Sequence, residues 1–291
     1  MVGSRLALGT VQFGLPYGVV NDGREVETGE AAAILRQAWA SGVNTLDTAI
    51  VYGESERRLG EIGVAGWRIV TKLPAVPENC PDVSDWVERS VDDSMARLGV
   101  PRLSGLLLHR PHQLLEPAGE DLFAALLAQK DRGVVDKIGI SIYGPDELQV
   151  LFARFAFDLV QAPLNVVDRR LVSSGWLDTL YAAGTEVHVR SVFLQGLLLV
   201  DPTSRPDRFA RWHVLWDRWH AWLRERELTP LEACLGFVLS HEKVGRVVVG
   251  VDSVCHFREI LENGRTQVGA IPDDLASEDL DLLTPSRWNT L

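Results

Sequence analysis

Cysteine is scarce in this 291-residue chain: Cys80, Cys234 and Cys255 are its only three, an odd number without C-x-x-C spacing. Such a set builds neither a disulfide framework nor a zinc cluster, and a reducing, cytoplasmic setting is expected. Long apolar runs are lacking as well. No stretch approaches the roughly 18 residues of a membrane helix, and the opening MVGSRLALGTVQFG has no apolar run behind basic residues of the kind a secretory leader carries. Basic residues are outnumbered, 29 Lys and Arg against 40 Asp and Glu, for a net charge of −11. A surface of that sign repels a phosphate backbone, which sets nucleic acid aside as a main partner. No low-complexity linker divides the chain, and no G-x-G-x-x-G stands between a strand pattern and a helix pattern.

What is present is a globular composition, 46% hydrophobic and 24% charged, able to bury a large core. Short β-branched runs alternate with longer segments of helical period. The runs predict strands at 6–10, 45–49, 68–72, 105–109, 137–142, 159–163, 186–192 and 246–251. The segments predict helices at 28–41, 55–62, 84–98, 120–132, 145–155, 174–183, 208–227 and 255–263. A ninth helix, 231–240, follows Pro230, with Thr229 as its N-cap. Eight strand–helix pairs predict a (β/α)8 TIM barrel, a parallel eight-stranded α/β fold. One domain over 1–291 is expected, its tail 265–291 packing on the barrel. The irregular stretch 194–206 follows the seventh strand and so falls on the face where barrels place their sites, as a loop covering a cofactor.

Barrels gather reactive groups at the carboxyl ends of their strands. Asp47 lies in the second predicted strand with Tyr52 just beyond it, Lys72 closes the third, and His109 closes the fourth. An Asp inside ThrLeuAspThrAla and a Lys ending IleValThrLys face burial unless paired, so they are expected to pair with each other. The grouping points to acid catalysis by a phenol. A phenol exchanges protons reluctantly at neutral pH, and a neighbouring ammonium favours its ionised form. Lys72 would provide that charge, Asp47 would hold Lys72, and His109 would hydrogen-bond the substrate oxygen. Singly, each residue has a plainer reading: an Asp that caps a turn, a packed Tyr, a solvated Lys, a structural His. Four at successive strand ends argue against coincidence.

In GlyValAsnThrLeuAspThrAla followed by TyrGlyGluSerGlu, in ArgIleValThrLysLeu and in LeuLeuLeuHisArg, the chain resembles the aldo-keto reductase superfamily from about residue 6 to about residue 263. The resemblance implies a barrel that binds NADP(H) or NAD(H) extended, without a Rossmann domain. It implies reduction of an aldehyde or ketone to an alcohol, or the reverse, by the catalytic set Asp47, Tyr52, Lys72 and His109. For the cofactor it implies Ser141, Gln161 and Asn165 near the nicotinamide carboxamide, although Ile142 stands where an Asn often follows that Ser. Arg190, beside Ser191, stands where many relatives stack a Tyr on the nicotinamide. A planar guanidinium can also stack there, or form a structural ion pair. The segment GlyValAspSerValCysHisPheArgGluIle resembles the family's adenosine-phosphate region, with Gly250, Ser253, His256 and Glu259 at contact points. NADPH-selective relatives carry a Lys or Arg near the position of Asp252. Its acidity leaves NADH and NADPH both open, depending on whether Arg258 turns inward.

The helix with Trp212, Trp216, Trp219 and Trp222 reads as core or as an oligomer contact. His213 and His220 lack metal-site spacing, and no metal is implied. The short segment 110–119 suggests a mouth open to a polar carbonyl or alcohol, such as one of the sugar type. The partner expected is that small molecule, for a monomer or small homo-oligomer. Two alternatives stand beside this reading. Glycoside hydrolysis needs a second strand-end carboxylate as well placed as Asp47, and a catalytically weak, nucleotide-binding regulatory subunit can share the fold.

Overall fold

All eight β-branched runs become strands: β1 (Leu6–Gly9), β2 (Thr45–Asp47), β3 (Arg68–Leu73), β4 (Gly105–Leu108), β5 (Ile138–Ser141), β6 (Leu159–Pro163), β7 (Glu186–Arg190) and β8 (Arg246–Gly250). In this computed structural model, which describes residues 2–19 and 24–290, each strand pairs in parallel with the next and β8 closes onto β1. Residues 1, 20–23 and 291 of the expected domain lie outside the described residues. Most of the strands stop one or two residues before the apolar runs do. Thr10, Thr48, His109 and Ile142 stand just past the last strand residues; each still donates its N–H to the neighbouring strand before the chain enters the loops that build the site.

The helical segments form α1 (Thr28–Ala40), α2 (Ser55–Ile62), α3 (Val83–Leu98), α4 (Gly119–Asp131), α5 (Asp146–Leu151), α6 (Arg170–Ser173), α7 (Trp176–Ala182), α8 (His213–Glu225), α9 (Pro230–Ser240), α10 (Val254–Asn263) and α11 (Leu280–Leu283). Local chemistry sets their ends. Thr229 and Glu232 complete a reciprocal capping box on α9. The stretch 174–183 yields only α7, because Gly175 adopts a left-handed conformation (φ 77°) that separates it from α6. Asp207–Trp212 tightens into a 3-10 turn, so α8 begins only at His213.

The barrel is polar at both ends and apolar between. Along β3, Ile69 and Leu73 join the shell between strands and helices, while Val70 joins Leu107 and Leu159 in a separate buried set. Side chains two apart on a strand share a face, so Arg68, Val70 and Lys72 form one inward column. Around its lower end lie Thr45, Lys137, Glu186 and His188; around its upper end lie Asp47 and Gln161.

The tryptophan helix packs inward. Trp216, Trp219 and Trp222 are buried, and the Trp219 indole N–H donates to the Leu198 carbonyl at 3.2 Å. The tail lies along the barrel: the Ser277 N–H donates to the Val167 carbonyl at 2.8 Å, and buried Trp288 sets its ring 4.9 Å from that of Phe209. Among the described residues, no helix is long and apolar enough to cross a membrane.

Candidate active site

A cavity of about 640 Å³ opens at the carboxyl ends of the strands, lined among others by Thr10, Tyr52, His109, Tyr143, Arg190 and Gly250. Asp47, Tyr52 and His109, three of the four residues the sequence singled out, line it, and Lys72 lies buried beneath them. The Lys72 ammonium, fully buried, donates to Asp47 Oδ1 and to the Thr48 carbonyl, each at 2.7 Å. The other Asp47 oxygen accepts from Gln161 Nε2 at 2.6 Å. Above this pair, the Tyr52 ring has its centre 5.1 Å from Lys72 Nζ, and the His109 ring meets it edge-on at 5.9 Å between centres. A buried ammonium needs both a counter-charge and further acceptors. Asp47 and the Thr48 carbonyl fill these two needs.

Tyr52 follows β2 in a turn that is held from below. Ser55 Oγ donates to the Thr10 carbonyl at 2.9 Å, and Thr10 Oγ1 donates to the Asp47 carbonyl at 3.0 Å. From the side the turn meets another backbone: a Cβ on Gly14 would lie 2.0 Å from the Tyr52 carbonyl oxygen. Glycine is required there because the loop after β1 presses directly on the chain that carries the phenol.

Burial, together with the positive charges of Lys72 and Arg190, pushes the His109 imidazole down to about 4, with Asp47 opposing. At neutral pH its ring is uncharged, a hydrogen-bonding group rather than an acid. Tyr17, on the loop after β1, is held above the ordinary phenol range by burial and by the nearby Tyr52; Arg190 and a hydrogen bond with Gln195 pull the other way. It faces the cavity as a protonated donor. Arg190 donates to the Ile142 carbonyl at 2.9 Å and to Ser191 Oγ at 3.2 Å, and lies over the Tyr143 ring at 5.1 Å. Among the described residues, no carboxylate reaches it, so an ion pair is not what holds it.

The loop after β7 is shaped by left-handed residues: Ser191 (φ 60°), Leu194 (φ 47°), Gln195 (φ 53°) and Gly196 (φ 89°). Non-glycine residues in that region cost of order 1–3 kcal/mol each and persist only where surroundings enforce them. Here Asn165 Nδ2 holds the Ser191 carbonyl at 3.0 Å, and Trp219 holds that of Leu198. Val192, Phe193 and Gln195 line the cavity, and their backbone N–H groups have no partner among the described residues. Unengaged N–H groups on a strongly curved loop make an anion-binding concavity.

Of the nine residues expected at a cofactor, five line the cavity: Arg190, Ser191, Gly250, His256 and Glu259. The other four lie behind it. Ser141 donates to Gln161 at 3.3 Å and Gln161 to Asp47, so these two buried side chains brace the Lys72 pair. Asn165 braces the β7 loop, and Ser253 Oγ caps α10 by accepting from the His256 N–H at 3.2 Å. Sequence reasoning missed Gln12, Tyr17, Tyr143 and Gln195 in the lining. Position alone offered a signal, since each lies in a loop leaving the carboxyl end of a strand.

The sequence profile of the Aldo/keto reductase family matches residues 5–268. A D-threo-aldose 1-dehydrogenase of Pseudomonas is 28% identical, over 81% of this chain and 84% of that one. A pyridoxal 4-dehydrogenase of Microbacterium luteolum is 24% identical, over 92% and 91%. In fold, the chain is similar to an aldo-keto reductase of Bacillus halodurans solved in its holo form, with a TM-score of 0.73 at 20% identity over 94% of both chains. It is also similar to a glycerol dehydrogenase of Gluconobacter oxydans, with a TM-score of 0.68 at 18% identity over 91% and 88%.

Proposed function

The chain belongs to the aldo/keto reductase family, and on that premise we propose that it is an NAD(P)H-dependent oxidoreductase interconverting an aldehyde or ketone and its alcohol, with Tyr52 as general acid and base. The observation that carries this reading is the buried Lys72–Asp47 pair set beneath the Tyr52 ring, with His109 edge-on beside it at the floor of a cavity. A nicotinamide dinucleotide fits the residues around that floor. The free N–H groups of Val192, Phe193 and Gln195 suit its phosphates, and the cavity is of the size that cofactor pockets have. When bound, the reduced cofactor supplies the hydride.

Every other task falls to the chain. Tyr52, with the Lys72 ammonium 5.1 Å from the centre of its ring, is the group placed to pass a proton to the oxygen of the reduced carbonyl. His109, neutral, hydrogen-bonds that oxygen and orients it. Asp47 holds Lys72 in place beneath the ring, and Gln161 and Ser141 keep Asp47 in place. Tyr17, Tyr143, Arg190 and Gln195 make the mouth polar. Together with relatives named for an aldose and for pyridoxal, this supports a small polar substrate, of which a sugar-type carbonyl is the leading candidate.

The test pairs binding with turnover. Purified chain titrated with reduced nucleotide by fluorescence is expected to bind it and to oxidise it when aldoses or other polar carbonyls are added. Tyr52→Phe is expected to keep the binding and lose about 10²- to 10⁴-fold in kcat. Full turnover by that variant removes Tyr52 from the chemistry. Binding with no carbonyl-dependent turnover by the unaltered chain instead favours a regulatory nucleotide-binding role.

A further inference from the structure

Resting on that reading, we infer that the chain selects NADH over NADPH, because the far end of its cavity is built to receive a ribose hydroxyl and to repel a phosphate. The argument follows the length of the cavity. The reacting ring belongs beside Tyr52 and His109, and the bridging phosphates suit the N–H groups of Val192, Phe193 and Gln195. The wall that remains for the adenosine half runs from Gly250 through Asp252 to the first two turns of α10, where His256, Glu259 and Ile260 line the cavity.

Two features of this wall act in one direction. First, the start of α10 is already engaged by the chain itself. The Val254 N–H donates to Glu30 Oε1 of α1 at 2.7 Å, and the His256 N–H donates to Ser253 Oγ. A helix N-terminus attracts anions through its free N–H groups and its dipole. A carboxylate standing there answers the dipole and takes an N–H that a phosphate would need.

Second, charge at this end is negative. Asp252 and Glu259 both line the cavity, and Arg190, at the β7 end, is the sole Lys or Arg among the described lining residues. Arg258, the basic residue of α10 that could have compensated, is turned to α1, its Nη2 3.4 Å from Gln37 Oε1. A 2′-phosphate brings nearly two negative charges at pH 7, and among the described residues that line this wall no Lys or Arg meets them. A 2′-hydroxyl is instead a donor, and carboxylates are the strongest acceptors it can find.

The test is a pair of titrations of the purified chain, with NADH and with NADPH, followed by fluorescence and by thermal shift at one ionic strength. NADH is expected to bind about tenfold tighter or more. The substitutions Glu30→Gln and Asp252→Asn/Glu259→Gln keep size and hydrogen-bonding capacity while removing charge. Each is expected to narrow the ratio about threefold or more by strengthening NADPH. Melting curves will show whether each variant stays folded, and the exposed pair at 252 and 259 remains informative if the change at Glu30 disturbs packing. Equal or tighter NADPH binding by the unaltered chain, or a ratio that neither set of substitutions moves, overturns the inference and leaves the oxidoreductase reading standing. If neither nucleotide binds, the oxidoreductase reading itself falls.

Discussion

His109 shows how position sets the properties of one side chain. Its ring sits in a site where burial and the positive charges of Lys72, Arg190 and Arg110 oppose protonation, and it is held at about 4, below the ordinary imidazole value of 6.5. Between those values the unfolded chain binds a proton that the folded chain refuses. The stability tied to the neutral ring is therefore complete above 6.5 and is lost as the pH falls toward 4. The urea midpoint is expected to drop across that window, and to drop less in His109→Gln. Ring resonances followed by NMR are expected to titrate near 4, and to move upward in Arg190→Gln, which removes one of the three opposing charges. A ring that titrates at 6.5 in the unaltered chain would show that neither burial nor Arg190 acts on it. At this scale the sequence was legible where a residue had no comfortable alternative: Asp47 and Lys72, destined for burial, had to find each other. Gln161 was less legible. Its bond to Asp47 spans 114 positions and depends on how the sheet closes, which no local pattern reveals.

The element that carries Tyr52 forward is anchored by a carboxylate that the sequence reading passed over. Glu56, in the first turn of α2 and buried, accepts from Thr71 Oγ1 of β3 at 2.7 Å, from Ser94 Oγ of α3 at 2.7 Å and from Arg97 Nε at 2.9 Å. One side chain thus ties a strand to two helices. Breaking a buried pair leaves uncompensated partners and costs about 3–5 kcal/mol, and because Arg97 is partly in solvent the lower part of that range applies to Glu56→Ala. Urea unfolding of that variant is expected to give a loss near 3 kcal/mol, with a smaller loss for Glu56→Gln, which still accepts from the two hydroxyls. A loss under about 1 kcal/mol would mean that the network contributes nothing beyond a surface pair. Elements themselves were legible through pattern: short β-branched runs and helical spacing located every strand and every long helix. Their boundaries were less so. The split between α6 and α7 at Gly175 and the late start of α8 are backbone decisions taken after packing, and the left-handed Leu194 and Gln195 carry no mark in the sequence.

Across the whole molecule, the cavity and a second cluster of charged side chains occupy opposite ends of one barrel, separated by Val70, Leu107 and Leu159. The lower end is as charged as the upper. Glu186 accepts from His188 Nε2 at 2.9 Å and pairs with Lys137, beside Arg68 and Thr45. The His188 hydrogen bond, with Lys137 adding to it against burial, holds the Glu186 carboxylate well below its usual range. A carboxylate depressed in this way stabilises the fold fully above its ordinary value of 4.5, and that contribution is lost as the pH falls below it. Glu186→Gln is therefore expected to lower the urea midpoint at pH 7 and to flatten its decline between about pH 5 and pH 2. Because an apolar layer stands between Glu186 and the cavity, kcat and nucleotide Kd are expected to stay within about threefold of the unaltered chain, the range of an ordinary remote substitution. A larger change in either, at full occupancy of the folded state, would mean that charge at the base of the barrel reaches the site through the strands, and that the two ends are one electrostatic unit.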